Sequence, residues 1–499
     1  MKFLLKPTNP EKLEVDVLIK YCWEGEFSNV ASLPKAFLDE LKTLAEKEEF
    51  KGKESQTLFV YPKGDLAAYK FFLFGIGKKE EFDIYKLYKL IATSIKRVID
   101  TKPAKIALIV DDYWMKKYPV ERVIQSVVEA VNLSSYKFIK YKGEEEQKNN
   151  RPIEEVLLSL SAPKLTLGEE GMRKGEIFSN STVFARDLIN EPPEITSPSY
   201  LADVALNIAK ESKNTVKVKI MDKDEIAKLG MNSFLGVASG SDKPPKFIHL
   251  SYKPAGSSKK IVLIGKGITF DTGGLSLKSA EHMETMKLDM AGAAAILAVF
   301  HAITLLNPII EVVGLIAACE NMPSGKALKP GDILKAMNGK TIEVLNTDAE
   351  GRLTLADAIS YANLKEKPDE IIDLATLTGA CMVALGDDIA GMWGNNTKLI
   401  DSISKSGENV GEWVWNMPLF SDYKSLIKSH IADVKNIQTG RYGGAITAAL
   451  FLAEFVGDTP WVHLDIAGPA FAERDTPLSS IGGVGFGVRT LLEYILGNL

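Results

Sequence analysis

Short runs of branched and aromatic residues alternate along the chain with longer stretches whose apolar positions recur every three or four residues. In the first third, "EVDVLIKYC", "TLFVYP", "YKFFLFGIG" and "KIALIVDD" have strand character. "EFDIYKLYKLIATSIKRVID" and "VERVIQSVVEAVNL" have helical spacing. Such alternation predicts an α/β domain. The polar stretch "YKGEEEQKNNRP" then interrupts the pattern, which returns only weakly up to "LGEEGMRKGE", so a domain boundary falls between Lys142 and Glu170. The spacing predicts a helix over "GEIFSNSTVFARDLIN", and the prolines of "EPPEITSPSY" end it. From there "VKVKIMD", "FIHLSYK", "KIVLIGKGITF", "EVVGLIAACE", "KTIEVLNTD", "EIIDLATLT" and "WVHLDIAG" predict the strands of a second, larger α/β domain. Several are unbroken apolar runs, as expected of central strands covered on both faces.

Composition narrows the class. At 499 residues the chain exceeds one ordinary core, and 45% hydrophobic with 25% charged residues is a globular balance. A net charge of -5 disfavours nucleic acid as the main partner. The three cysteines form no CxxC pair, which fits a reducing compartment and buried thiols. "MKFLLKPTNPEKLE" lacks the apolar length of a signal peptide, and a cytoplasmic location is expected. The run "AGAAAILAVFHAITLLNPIIEVVGLIAAC" is interrupted by His301, Asn307, Pro308 and Glu311, so it predicts a buried helix and then a buried strand rather than a membrane span.

Candidate chemistry sits after the strands, where ligand sites of open α/β sheets gather. Lys266 lies between two glycines, followed by Asp271 and Lys278; Asp289 stands where a small-residue helix begins; "NTDAEGRL" offers Asp348, Glu350 and Arg352 at alternating positions. If that stretch stays extended, the last three side chains point one way. Singly, each residue reads as a turn, a cap or a solvated lysine. Together, such carboxylates repel one another unless cations hold them, and hard or borderline divalent metals prefer oxygen ligands. The five histidines show no HExxH spacing, and neither GxSxG nor a P-loop is present.

"GKGITFDTGG", "MKLDMAGAAA" and above all "NTDAEGRL" resemble the leucyl aminopeptidase family, the cytosolic dinuclear metallo-aminopeptidases. The similarity runs from "RDLINEPP" through "DLATLTGA", "ALGDDIAGMWGNN" and "HLDIAGPAF" to the C-terminus. It implies a smaller, variable, macro-domain-like N-terminal α/β domain over 1–165 and a linking helix over 166–190. A catalytic domain with a mixed, mainly parallel sheet then covers 191–499. The resemblance also implies two divalent ions per subunit, zinc or manganese, with cobalt or magnesium possible at the exchangeable position. Lys266 and Asp289 match ligands of the tighter ion, Asp348 a ligand of the exchangeable one, and Asp271 and Glu350 the bridging carboxylates. Lys278 matches a lysine that stabilises the developing oxyanion, and Arg352 the holder of a bicarbonate that serves as general base.

Met286, Thr376, Gly379 and Ala467 match positions around the pocket for the substrate's first side chain. Thr376 and Leu377 match positions where the backbone holds the substrate, and Ala470 replaces a larger apolar residue of some members. The implied partners are peptides with a free N-terminus and five further copies of the chain in a homohexamer, with no membrane and no nucleic acid. A two-metal phosphoesterase would share the carboxylates, though rarely the lysine ligand. A DNA-binding role, found in some bacterial relatives, is the other alternative.

Overall fold

A computed structural model describes residues 1–7, 9–27, 33–63 and 66–497. They form two compact units, Met1–Asn180 with Asp475–Ser480, and Ser181–Arg474 with the described residues from Ile481 onward. The division falls inside one continuous helix, Leu165–Asn190, rather than at its ends. Contacts, not a break in the chain, decide it. Asn132 donates to Ser179 and Asn180 within the first unit, whereas Ser181 pairs with His301 within the second. Residues 498 and 499 of the expected catalytic domain lie outside the described residues.

The first unit is a six-stranded sheet. Its strands are β1 (Lys2–Pro7), β2 (Val17–Cys22), β3 (Thr57–Val60), β4 (Lys70–Gly75), β5 (Lys105–Ile109) and β6 (Glu155–Leu160), in the order β1-β6-β5-β2-β4-β3. All neighbours are parallel except the edge strand β3. β2 is buried at every position, with Val17, Ile19 and Tyr21 packed into one core and Leu18 and Cys22 into another. The sequence pattern missed β1 and β6. Each is six residues long, and β1 lies at the sheet edge and pairs on one side only.

The second unit has an eight-stranded mixed sheet. In chain order its strands are β7 (Val216–Met221), β8 (Lys246–Tyr252), β9 (Lys260–Asp271) and β10 (Glu311–Asn321), then β13 (Glu370–Ala375), β14 (Ile389–Gly394), β15 (Trp413–Asn416) and β17 (Trp461–Asp465). The intervening β11 (Ile333–Lys335), β12 (Thr341–Glu343) and β16 (Val434–Lys435) make a separate small sheet. The large sheet runs β15-β14-β17-β13-β9-β10-β8-β7, and its central four strands are parallel. Their carboxyl ends therefore meet on one side.

β9 is buried along almost its whole length because it is covered twice. Val262, Ile264 and Ile268 pack against Leu353, Ile359, Leu450 and Phe455 on one face. The helix Ala291–Leu306 closes the other face so tightly that a Cβ on Gly292 would lie 2.2 Å from the Leu374 carbonyl oxygen. That contact brings the start of the helix against β9 and β13. The helix Ala291–Leu306 is buried over most of its length, as expected of a core helix.

One expectation needs correction. "KTIEVLNTD" is a strand only over Thr341–Glu343; a turn follows at Thr347 and Asp348, and a helix opens at Gly351. Asn346 Oδ1 accepts the Asp348 N–H at 2.8 Å, a local bond that competes with strand continuation.

Candidate metal centre

The carboxyl ends of β9, β10, β13 and β17 supply the floor of the site. β9 contributes Lys266 and ends on Asp271, opposite Asn321 at the end of β10, where the register slips. Such irregularities re-aim side chains near sites. Asn321 Nδ2 donates to Asp271 Oδ1 at 2.8 Å and to the Thr347 carbonyl at 3.0 Å, tying the β9 carboxylate to the turn that bears Asp348. Thr347 Oγ1 in turn donates to the Gly273 carbonyl at 2.7 Å.

Asp271, Asp348 and Glu350 can each offer one oxygen with all three within 4.8 Å of one another. The strand periodicity proposed for Asp348, Glu350 and Arg352 is not what gathers them. Asp348 lies in the turn, Glu350 immediately precedes the helix, and Arg352 is in that helix's first turn.

Asp289 joins through Lys266, whose Nζ lies 2.8 Å from both Asp289 Oδ1 and Glu350 Oε1 and donates to the Thr376 carbonyl at 2.9 Å. Thr376 Oγ1 completes the link by donating to Asp289 Oδ1 at 2.7 Å. Lys278 Nζ lies 2.9 Å from Asp271 Oδ2 and also pairs with Asp348. The two lysines thus serve opposite sides of one acidic cluster.

Electrostatics here is a contest between burial and charge. Burial alone would lower both lysine amines. Asp289, Glu350 and Asp271 outweigh it at Lys266, as do Asp271, Glu350 and Asp348 at Lys278, so both are held above the ordinary lysine value. Burial raises Asp289, Asp271 and Asp348, and the neighbouring carboxylates add to that rise. Burial pushes the Arg352 guanidinium down to about 10 against the pull of Glu350 and Asp465, leaving it cationic at neutral pH.

Unspent valences remain. Asp289 Oδ2 and Glu350 Oε2 are buried and, among the described residues, have no hydrogen-bond partner. A buried charged acceptor left in that state costs on the order of several kcal/mol, which a bound cation offsets. The oxygen-rich set therefore fits divalent ions. Arg352 Nη1 donates to the Asn436 carbonyl at 2.9 Å, but its buried Nε has no partner among the described residues, which suits a small anion.

The expected pocket residues gather nearby. Asp465, at the end of β17, accepts from the backbone of Leu377 at 3.0 Å and of Ala467 at 3.1 Å, and from Thr378 Oγ1 at 2.7 Å. Met286 opens the short 3-10 helix that carries Asp289, and Gly379 starts the helix Gly379–Leu385 in an exposed position. Ala470 is fully buried, with its N–H on the Ile466 carbonyl. Sequence reasoning did not single out Asn321, Asn436 or Asp465. Asp465 had the available signal, a carboxylate at the carboxyl end of an apolar run; the asparagines had none.

Gly351 stands against this cluster. A Cβ there would lie 2.4 Å from Lys266 Cε and 2.6 Å from its Nζ. The lysine tip would have to abandon Asp289 or Glu350. Gly351→Ala is expected to keep the fold and lower kcat at least 10-fold, since Ala suits a first helical turn. Wild-type kcat in a variant of unchanged thermal midpoint would contradict this.

Carboxylates from a strand end, a 3-10 helix and a turn, bracketed by two lysines, fit a metal-dependent hydrolase. Residues 183–492 match the catalytic domain of the cytosol aminopeptidase family, and residues 22–145 match its N-terminal domain. The chain is 44% identical over 480 residues to a probable cytosol aminopeptidase of Aquifex aeolicus (strain VF5), covering 95% of this chain and 94% of that one. It is 40% identical over 499 residues to another from Alkaliphilus metalliredigens (strain QYMF), covering 99% of each.

Among solved structures, a tomato leucine aminopeptidase mutant superposes with a TM-score of 0.87 at 32% identity, over 100% of this chain and 97% of that one. The bottromycin maturation enzyme BotP in complex with Mn does so with 0.85 at 28% identity, over 97% and 99%. The chain belongs to the cytosol aminopeptidase family, and it is a metal-dependent aminopeptidase.

Proposed function

We propose that the protein removes N-terminal leucine and other mostly apolar residues from peptides, using two divalent ions. The observation that carries this reading is the convergence of Asp271, Asp348 and Glu350 within 4.8 Å, flanked by Lys266 and Lys278. Lys266 and Asp289 would hold the tighter ion, Asp348 the exchangeable one, and Asp271 and Glu350 both. Lys266 must give up its proton to do so, which a dication beside it favours. Zinc or manganese suits the set, with cobalt or magnesium possible at the exchangeable position; the manganese bound by BotP supports this.

Once bound, the ions would polarise the scissile carbonyl and make water acidic enough to attack at neutral pH. Lys278 stays cationic and faces the negative charge that develops on that carbonyl oxygen. Thr376 and Leu377 hold the substrate backbone, anchored by Asp289 and Asp465 respectively. Met286, Thr376, Gly379 and Ala467 surround its first side chain. The carboxylates are committed to cations, so a bicarbonate ion held by Arg352 would supply the general base. As in the resembling family, the protein is taken to be a cytoplasmic homohexamer with no membrane or nucleic-acid partner, consistent with its net charge of -5.

An exopeptidase needs the substrate's free α-amine. A leucyl anilide is expected to be cleaved, its N-acetyl counterpart not at all, and an aryl phosphate not at all. Comparable turnover of the blocked and free anilides would end the exopeptidase reading; cleavage of the phosphate would favour a phosphoesterase.

A further inference from the structure

The turn that carries Asp348 and Glu350 belongs to neither β12 nor the helix Gly351–Tyr361, and beyond the local Asn346–Asp348 bond its shape is held from outside. Much of it comes from Asn436, a fully buried residue just past β16. Asn436 Oδ1 accepts the Leu345 N–H at 2.9 Å, and Nδ2 donates to the Asn346 carbonyl at 2.6 Å. The same Nδ2 reaches the Ala349 carbonyl at 3.4 Å. Its backbone N–H donates to the Glu343 carbonyl at 2.9 Å, and its own carbonyl accepts from Arg352 Nη1 at 2.9 Å.

One residue thereby touches the turn where it leaves the strand, in its middle and where it enters the helix, and also touches the guanidinium beyond. Asn346 passes the constraint on, since its side chain accepts the Asp348 N–H. Only a group with an acceptor and a donor on one plane can do this, which means an amide.

We propose that Asn436 is a positioning residue for the metal turn, setting the separation of Asp348 and Glu350 and the direction of Arg352. The proposal rests on the two-ion reading above. Residues that orient metal ligands typically contribute about 10–100-fold to metal affinity or activity.

The test uses the full-length protein with Asn436→Ala and Asn436→Leu. Leucine nearly restores the volume but makes none of the side-chain hydrogen bonds, so it rescues a packing role and not a positioning one. Manganese affinity is measured by competition with a chromogenic chelator, alongside kcat and KM with metal saturating. Both variants are expected to bind the more weakly held ion about 10–100-fold less tightly. Both should lose kcat with a smaller change in KM.

Asn395→Ala is the control. It removes an amide that is also bonded to backbone, at Thr459 and Trp461, but is exposed and remote from the acidic cluster, and should leave manganese binding unchanged. Wild-type manganese affinity in Asn436→Leu would overturn the proposal, as would an equal loss in Asn395→Ala. Asp348→Ala separates the two levels of inference. If it binds manganese like the wild type, the two-ion reading itself fails; if it loses an ion while Asn436→Leu does not, only the role of Asn436 fails.

Discussion

Exhaustive chelation is expected to abolish hydrolysis of a free-amine leucyl anilide, and manganese, cobalt or zinc to restore it. Among the described residues, the acidic cluster includes no histidine, and no serine or cysteine there is paired with a base. The three cysteines are buried, and the thiols of Cys22 and Cys381 are pushed up to about 12 by burial. A thiol so far from ionisation at neutral pH offers no thiolate nucleophile for a metal-free route. Without divalent ions the lysines spend their charge on Asp289, Glu350, Asp271 and Asp348, leaving nothing to polarise a carbonyl. Rates on stripped and reloaded protein, with metal content from mass spectrometry, check this. Full activity at zero metal would refute the centre.

The second large effect separates the two lysines, which the geometry makes unequal. Lys266 is buried among Asp289, Glu350 and the Thr376 carbonyl. Lys266→Ala should therefore lower metal content at the tighter position together with activity. Lys278 approaches the cluster from the Asp271 and Asp348 side and is more exposed, at 15% against 4%. Lys278→Ala should keep both ions and lower kcat about 10²–10³-fold, the scale for losing one preorganised charge at a developing oxyanion. Arg352→Ala should keep both ions, lose less, and recover partly in added bicarbonate. If Lys278→Ala loses metal while Lys266→Ala keeps both ions, the assigned roles are wrong even for a working aminopeptidase.

Much of this cluster could be read in one dimension because its charged groups stand out beside buried apolar segments. The apolar run of β9 marks a strand covered on both faces, and the polar residues that interrupt or end it, Lys266 and Asp271, stand out against it. Asp289 stood out for the same reason, before the small-residue helix that Gly292 lets approach the sheet. The failure was instructive at "NTDAEGRL". Alternation in sequence suggested an extended segment, but Asn346 bonds its own neighbour's backbone and the chain turns. Local hydrogen bonding won over strand propensity.

By itself, then, the sequence determined the α/β class, the helix and strand of the long apolar run, and the set of carboxylates and lysines at strand ends. Those follow from hydrophobic periodicity and from charges placed where burial is otherwise complete. Only the tertiary structure decided how the set closes. Asn321 and Asn436 come from segments 27 residues before and 88 residues after Asp348, and no periodicity links them to the turn they hold. The division of the helix Leu165–Asn190 between two units is likewise a matter of which neighbours it meets, and a helix carries the same local signal on both sides of that boundary. Long-range hydrogen bonds depend on folded geometry, which residue spacing does not encode.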